Sequence, residues 1–298
     1  MNGIIECDLL TKKFKTVTAI DRLKFGISEK KIIGLIGNNG AGKTTFLKIC
    51  AGYLKPTAGS VRVLGKSPFD DLSVLSDLIF IDEAMKYYEE SPLEDLLLTC
   101  RIAYKNWDTQ FALKLFSDCG LSKKSRYKNL SRGMKAQFNF IIGLASRAPV
   151  TLMDEPIVGM DAATRKEFYS ILLRDYIENP RMFIISSHFL AEIENILEEI
   201  VLIDQGKLVL HDTVEKLQGY AVTLNGPREI VMEYIKDKQV LNLEQFGNTT
   251  IAAVAGASGS QPAAWLAQSG VHLSSVSVQD LCIYLTKKRK DSDFHDYT

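Results

Sequence analysis

The stretch Ile32-Ile33-Gly34-Leu35-Ile36-Gly37-Asn38-Asn39-Gly40-Ala41-Gly42-Lys43-Thr44-Thr45 constrains this chain more than any other. A β-branched apolar run stops at a glycine, and a G-x-x-x-x-G-K-T loop opens onto a helix. Gly37, Gly40 and Gly42 let the backbone curl until successive N–H groups point inward at an anion. The helix predicted from Lys43 to about Cys50 aims the positive end of its dipole at the same place. Such a loop suits the phosphates of a nucleotide. Lys43 is placed to reach the β- and γ-phosphates, and the Thr44 hydroxyl to hold Mg²⁺. Asn38, Asn39, Ala41 and Thr45 belong to the same cradle.

The chain around this loop alternates strand and helix signals. Residues from about Ile4 to Ile36 read as an antiparallel ribbon feeding the first core strand. Short strands follow at Gly59–Gly65 and Leu78–Ile81. From Ser91 to Arg147 the pattern is helical, with Pro92 at a helix start and Leu93, Leu96, Leu97 and Cys100 at helical spacing. A second helix is predicted from Asp108 to about Cys119, stopped by Gly120, and a third from near Ser131. Strands return at Val150–Met153, Phe183–Ser186 and Ile200–Ile203, the last turning through Asp204-Gln205-Gly206 into Lys207–Leu210. Strands alternating with helices imply a mostly parallel sheet, here carrying an all-helical insertion. From about Val222 a small α+β module is predicted, in the order strand, helix, strand, strand, helix, strand, helix, with an Ala/Gly/Ser-rich loop at Ala255 to Ser260.

Composition narrows the function classes. With Lys+Arg 36 against Asp+Glu 36 there is no global basic field, so nucleic acid is not an expected partner. The Lys287-Lys288-Arg289-Lys290 run reads as a solvated tail. No apolar run approaches the ~20 residues that span a bilayer, and the N-terminus lacks a secretory pattern. Five scattered cysteines read as reduced thiols, and four histidines without ligand spacing argue against a transition-metal site. The expected setting is cytoplasmic.

A second cluster carries chemistry. Thr151-Leu152-Met153-Asp154-Glu155-Pro156 is an apolar strand ending in two carboxylates. Asp154 is placed to hold Mg²⁺ through water, and Glu155 to polarise a water attacking the γ-phosphate.

With these motifs in order, residues from roughly Leu9 to Leu217 resemble the ATP-binding subunit of an ABC transporter. Leu130-Ser131-Arg132-Gly133-Met134 sits where that family has its signature sequence, usually LSGGQ. Gly159-Met160-Asp161 resembles its D-loop, Ser186-Ser187-His188 its switch histidine, and Phe14 stands where an aromatic stacks on adenine. The resemblance implies a P-loop NTPase core with an N-terminal antiparallel β subdomain and a helical subdomain at about 84–147. It implies an ATP-binding domain over 1–220 and an accessory α+β module over 221–298. It also implies a homodimer or heterodimer that buries two ATP molecules. Each ATP would lie between one subunit's phosphate loop and Ser131 and Gly133 of the other, with Asp161 crossing the interface. Lys43 and His188 would then stabilise charge on the transferring phosphoryl group, Glu155 would be the base, and Thr44, Asp154 and Glu83 would serve the metal. The partner implied is a separate multi-span membrane permease, which places the subunit against the inner face of the cell membrane.

Two departures stand out. Glu83 aligns with a position where the family usually has Gln, and Arg132 replaces the first signature glycine. Together with Tyr104-Lys105-Asn106-Trp107-Asp108, they make the chain similar to bacterial exporter-type ATPases linked to peptides or antibiotics. A soluble ABC-type ATPase and a catalytically weak ATP-binding regulator are the alternatives.

Overall fold

The computed structural model of the chain describes residues 3–85, 87–188, 190–256 and 268–295. It divides into two compact units, Met1–Leu208 and Val209–Thr298.

The first unit opens with β1 (Ile5–Phe14) and β2 (Val17–Ile27), antiparallel, with Ile5 opposite Ile27 and Phe14 opposite Val17. β3 (Ile32–Ile36) follows, buried at every residue, and then α1 (Lys43–Cys50). β4 (Ala58–Val63) returns to pair with β1, completing a three-stranded antiparallel sheet of order β2-β1-β4. After α2 (Leu72–Leu75) and β5 (Leu78–Ile81) come α3 (Leu93–Ala103), α4 (Thr109–Asp118) and α5 (Arg132–Ala145). The remaining elements are β6 (Val150–Asp154), α6 (Ala162–Glu178), β7 (Met182–Ser187), α7 (Leu190–Ile193), β8 (Glu199–Asp204) and β9 (Lys207–Thr213), the last starting in this unit and ending in the second.

The main sheet has the order β5-β6-β7-β3-β8-β9, and the pairs β5–β6, β6–β7, β7–β3 and β3–β8 are parallel. Its central strands are continuous apolar runs because both faces are covered. Ile33, Leu35, Phe46, Leu47, Leu152 and Ile184 share one buried cluster with Ile5, Leu10 and Leu23 of the ribbon. The phosphate loop is therefore fixed to the packed centre of the sheet at its root.

The helical insertion begins as its sequence signals predict. Pro92 precedes α3, which buries Leu93, Leu96, Leu97 and Cys100. The Asp108 carboxylate caps α4 by accepting from the Phe111 N–H at 2.9 Å. Tyr87, Phe116 and Tyr127 pack edge-on around Phe138 of α5, tying its outer helices to its longest one.

Helix α6 was not among the predicted elements. It buries only Phe168, Tyr169, Leu172 and the charged Asp175, so its apolar stripe is sparse. Asp175 is held between the guanidinium groups of Arg147 and Arg181, the latter at 2.7 Å. Arg147 also pairs with Asp108 at 3.0 Å.

The second unit contains α8 (Val214–Gln218), β10 (Ala221–Pro227), α9 (Arg228–Ile235), β11 (Val240–Phe246), β12 (Thr249–Ala255), β13 (His272–Ser275) and α10 (Val278–His295). Its four strands form an antiparallel sheet of order β11-β12-β10-β13 around Leu224, Val231, Ala252, Val254 and Val271. The helix predicted between the last two strands, and most of the loop at Ala255 to Ser260, lie outside the described residues. The basic run at 287–290, expected as a tail, falls inside α10. Among the described residues no helix is long and apolar enough to cross a membrane. The five cysteines are free thiols, four of them buried.

Candidate functional site

Three strands, β3, β6 and β7, lead at their C-terminal ends into the glycine loop, Asp154 with Glu155, and His188, at the edge of a parallel sheet where ligands bind.

The loop after β3 is closely supported. A Cβ at Gly37 would stand 2.2 Å from the Ile203 carbonyl oxygen, and one at Gly42 would stand 2.5 Å from that of Ala19. Gly42 also has φ +108°, a left-handed conformation that a side chain rarely adopts. These two positions admit nothing larger than glycine. Asn38, Asn39 and Gly40 face outward, as does Thr44 in the first turn of α1, while Ala41 is buried and Thr45 half-buried. The Ala41 N–H donates to the Asn38 carbonyl, closing the turn.

Lys43 is buried, and its Nζ donates to the carbonyls of Gly37 at 2.6 Å and Asn38 at 3.3 Å. Burial pushes this ammonium below its ordinary pKa, and the carboxylates of Glu155 and Asp154 oppose that shift. The lysine therefore lies in the field of both carboxylates.

Asp154 ends β6 in direct register with Ser186 of β7. It is 8% exposed, and its Oδ1 accepts from Ser186 Oγ at 2.5 Å. The chain then turns sharply, because Glu155 has φ +50°. Its N–H donates to Ser186 Oγ at 3.0 Å, and its side chain leaves in a different direction. Glu155 Oε1 lies 2.8 Å from Nδ1 of His188, where a protonated Nδ1 donates to the carboxylate. Two adjacent carboxylates thus occupy separate environments. Ser186 anchors the pair differently: its hydroxyl hydrogen holds the Asp154 carboxylate, and its lone pair holds the backbone N–H of Glu155. Sequence reasoning gave Ser186 no role of its own; the signal lay in matching the last residue of β6 to its opposite on β7.

Ser131 caps α5, and its Oγ accepts from the Met134 N–H at 3.2 Å. Gly133 packs so closely on the next loop that a Cβ there would stand 2.7 Å from the Gly159 carbonyl oxygen. Asp161 caps α6, accepting from the Thr164 N–H at 3.0 Å and hydroxyl at 2.6 Å; these bonds hold its carboxyl below the usual range. Phe14 is 43% exposed at the tip of the β1–β2 hairpin, with Lys12 Nζ 5.1 Å from its ring centre. Glu83 is turned to Arg132, whose Nε and Nη2 donate to its two oxygens at 2.7 and 2.9 Å. The two residues that depart from the resembled pattern are each other's partners.

The chemistry of these groups fits a magnesium nucleotide. The loop presents open backbone at Gly40, with nothing within 4 Å of a Cβ placed there. Thr44 and Asp154 are hard oxygen donors, and among the described residues no three His, Cys, Asp or Glu side chains converge on one metal position. Oxygen donors of this kind are the ones that Mg²⁺ takes beside phosphate and water.

Residues 20–158 match the sequence profile of the family described as ABC transporter. The bacitracin transport ATP-binding protein BcrA of Enterococcus faecalis is 30% identical over 223 residues, spanning 73% of this chain and 71% of that protein. An uncharacterized ABC transporter ATP-binding protein of Methanocaldococcus jannaschii is 28% identical over 254 residues, 82% of this chain and 92% of its own. Among solved structures, the ATP binding subunit of an ABC transporter superposes with a TM-score of 0.66 at 22% identity, over 72% of this chain and 92% of the other. A dimeric ATP-binding cassette in a post-hydrolysis state with ADP and Pi gives 0.63 at 20% identity, over 70% and 98%.

Proposed function

Because the chain belongs to the ATP-binding subunits of ABC transporters, we propose that it hydrolyses ATP in a site shared by two subunits and so drives export through a separate multi-span membrane permease. The observation that carries this reading is the meeting of Glu155 and His188 beside the phosphate loop, with Lys43 in the field of the same carboxylate.

The loop N–H groups from Gly37 to Thr45 bind the phosphate chain, Lys43 neutralises it, and Phe14 stacks on the base. Lys43 must first leave the Gly37 and Asn38 carbonyls, exchanging two neutral acceptors for charged ones. Thr44 and Asp154 would hold Mg²⁺, which neutralises phosphate charge when bound. Glu155 takes the proton of the attacking water, and His188 orients that carboxylate and contacts the γ-phosphate. Ser131 and Gly133 grip the γ-phosphate held by the other subunit, with Asp161 across the interface, in a homodimer or a heterodimer. Glu83 reaches the metal only when its bonds to Arg132 open. In this reading residues 1–220 form the ATP-binding domain and 221–298 an accessory module, on the inner face of the membrane. The bacitracin transport relative favours a peptide or antibiotic as substrate.

Glu155→Gln keeps the shape of the side chain and removes the base. Turnover should fall by about 10²–10⁴, while ATP affinity is kept and an ATP-bound dimer accumulates. A Glu155→Gln chain that turns over ATP at the parent rate would remove Glu155 from this role. Turnover that does not respond to any candidate permease would favour a soluble ATPase instead.

A further inference from the structure

The loop after β5, the start of α5 and the loop before α6 are joined by one side chain, that of Arg132. Its guanidinium forms a two-point bond with Glu83, at 2.7 and 2.9 Å. Its aliphatic stem lies on the backbone of Gly159, where a Cβ would stand 3.0 Å from Cγ and 3.3 Å from Cδ. Its own backbone is the first residue of α5, one residue after the Ser131 cap and one before Gly133. The pair borders a cavity of about 290 Å³ that Asp82, Lys135, Asn139 and Pro156 also line.

The geometry points to Arg132 as a positioning residue. We propose that its bond to Glu83 tethers the Ser131–Gly133 turn to the loop after β5 and so sets the angle at which that turn meets a second subunit's nucleotide. A planar guanidinium fixes direction as well as distance, which a single-point bond does not. Both side chains are mostly solvated, 61% and 58% exposed, so the tether is a weak spring that ligand binding is able to open. Opening it releases the Glu83 carboxylate and frees the start of α5 in one movement. The inference rests on the shared-site reading for its functional half only.

Two measurements separate the tether from that reading. The first is amide hydrogen exchange on the full chain without nucleotide, at the Met134 and Lys135 N–H groups, which are bonded to Ser131. Arg132→Ala should raise exchange there by about fivefold. The reversed pair Glu83→Arg with Arg132→Glu should bring it back within about twofold. Unchanged exchange in Arg132→Ala, or no recovery in the reversed pair, overturns the tether. The second is ATP-dependent dimerisation by sedimentation in a Glu155→Gln background. Arg132→Ala should weaken the dimer by about fivefold. Faster exchange with an unaltered dimer constant overturns the functional half. A Glu155→Gln parent that stays monomeric with ATP overturns the shared-site reading, while the exchange result still decides the tether.

Discussion

Removing one hydroxyl, at Ser186, should disturb the Asp154 carboxylate directly and the backbone of Glu155 beside it. Ser186 is fully buried, and its Oγ donates to Asp154 Oδ1 and accepts from the Glu155 N–H. In Ser186→Ala the first bond, made to a charged group, is lost at a cost of about 1.5–3 kcal/mol. The Glu155 N–H retains the Ser186 carbonyl at 3.3 Å, so the second loss adds little. A net loss of about 2 kcal/mol lowers the melting temperature of a unit this size by about 4–8 °C. Catalysis should suffer more than binding, because the anchor is shared by Asp154 and Glu155 while the phosphate loop does not touch it. Loss of such a supporting hydroxyl costs about 10–100-fold in metal affinity or turnover. The assay is thermal denaturation alongside a Mg²⁺ titration of ATPase rate, with ATP binding followed by calorimetry. Thr151→Val is the control on the neighbouring strand, since Thr151 Oγ1 is buried with no hydrogen-bond partner among the described residues. It should be neutral or stabilising. A Ser186→Ala protein with the parent melting temperature and the parent Mg²⁺ dependence would refute the argument.

Lys43→Met should abolish ATP binding yet raise stability by about 1 kcal/mol, or about 2–4 °C, because it removes a buried charge. The sign follows from burial: the folded pKa lies below the ordinary 10.5. The penalty of the charged form is full below the folded pKa and fades as pH climbs toward the unfolded value. The gain should therefore shrink as alkaline denaturation scans approach 10.5; a destabilised Lys43→Met protein would show that the ammonium's hydrogen bonds outweigh its burial. Asp175→Asn leaves Arg147 and Arg181 facing each other at the N-terminal edge of the sheet and should cost about 3–5 kcal/mol in urea unfolding. ATP affinity of the folded fraction should not change, and a loss there would mean that this cluster communicates with the site.

Much of this architecture was legible because its signals are local. The apolar run before Gly37, the glycines at 37 and 42 and the helix from Lys43 all lie between Ile32 and Cys50, and each enforces the next. The caps Asp108 and Ser131 announced α4 and α5 for the same reason. What sequence did not give depends on distance. Ser186 meets Asp154 across a strand register 32 residues apart, and Arg132 meets Glu83 across 49. Neither pairing leaves a trace in either residue's neighbours. Helix α6 escaped for a different reason: one of its few inward positions is Asp175, whose burial is paid for by arginines from elsewhere in the chain.

The contact between Gly133 and Gly159 has a thermodynamic consequence. With the Gly159 carbonyl 2.7 Å from where a Cβ would stand, the Ser131–Gly133 turn, proposed above to serve a partner's nucleotide, and the loop that leads to Asp161 have no slack between them. Displacing one displaces the other. Free energy that a nucleotide gains by engaging Ser131 is then felt at Asp161, and linkage requires the same amount to flow back. A single methyl group, in Gly133→Ala, becomes a wedge in that exchange. It should uncouple the two nucleotides of a dimer, lowering cooperativity in ATP before it lowers the affinity of either site.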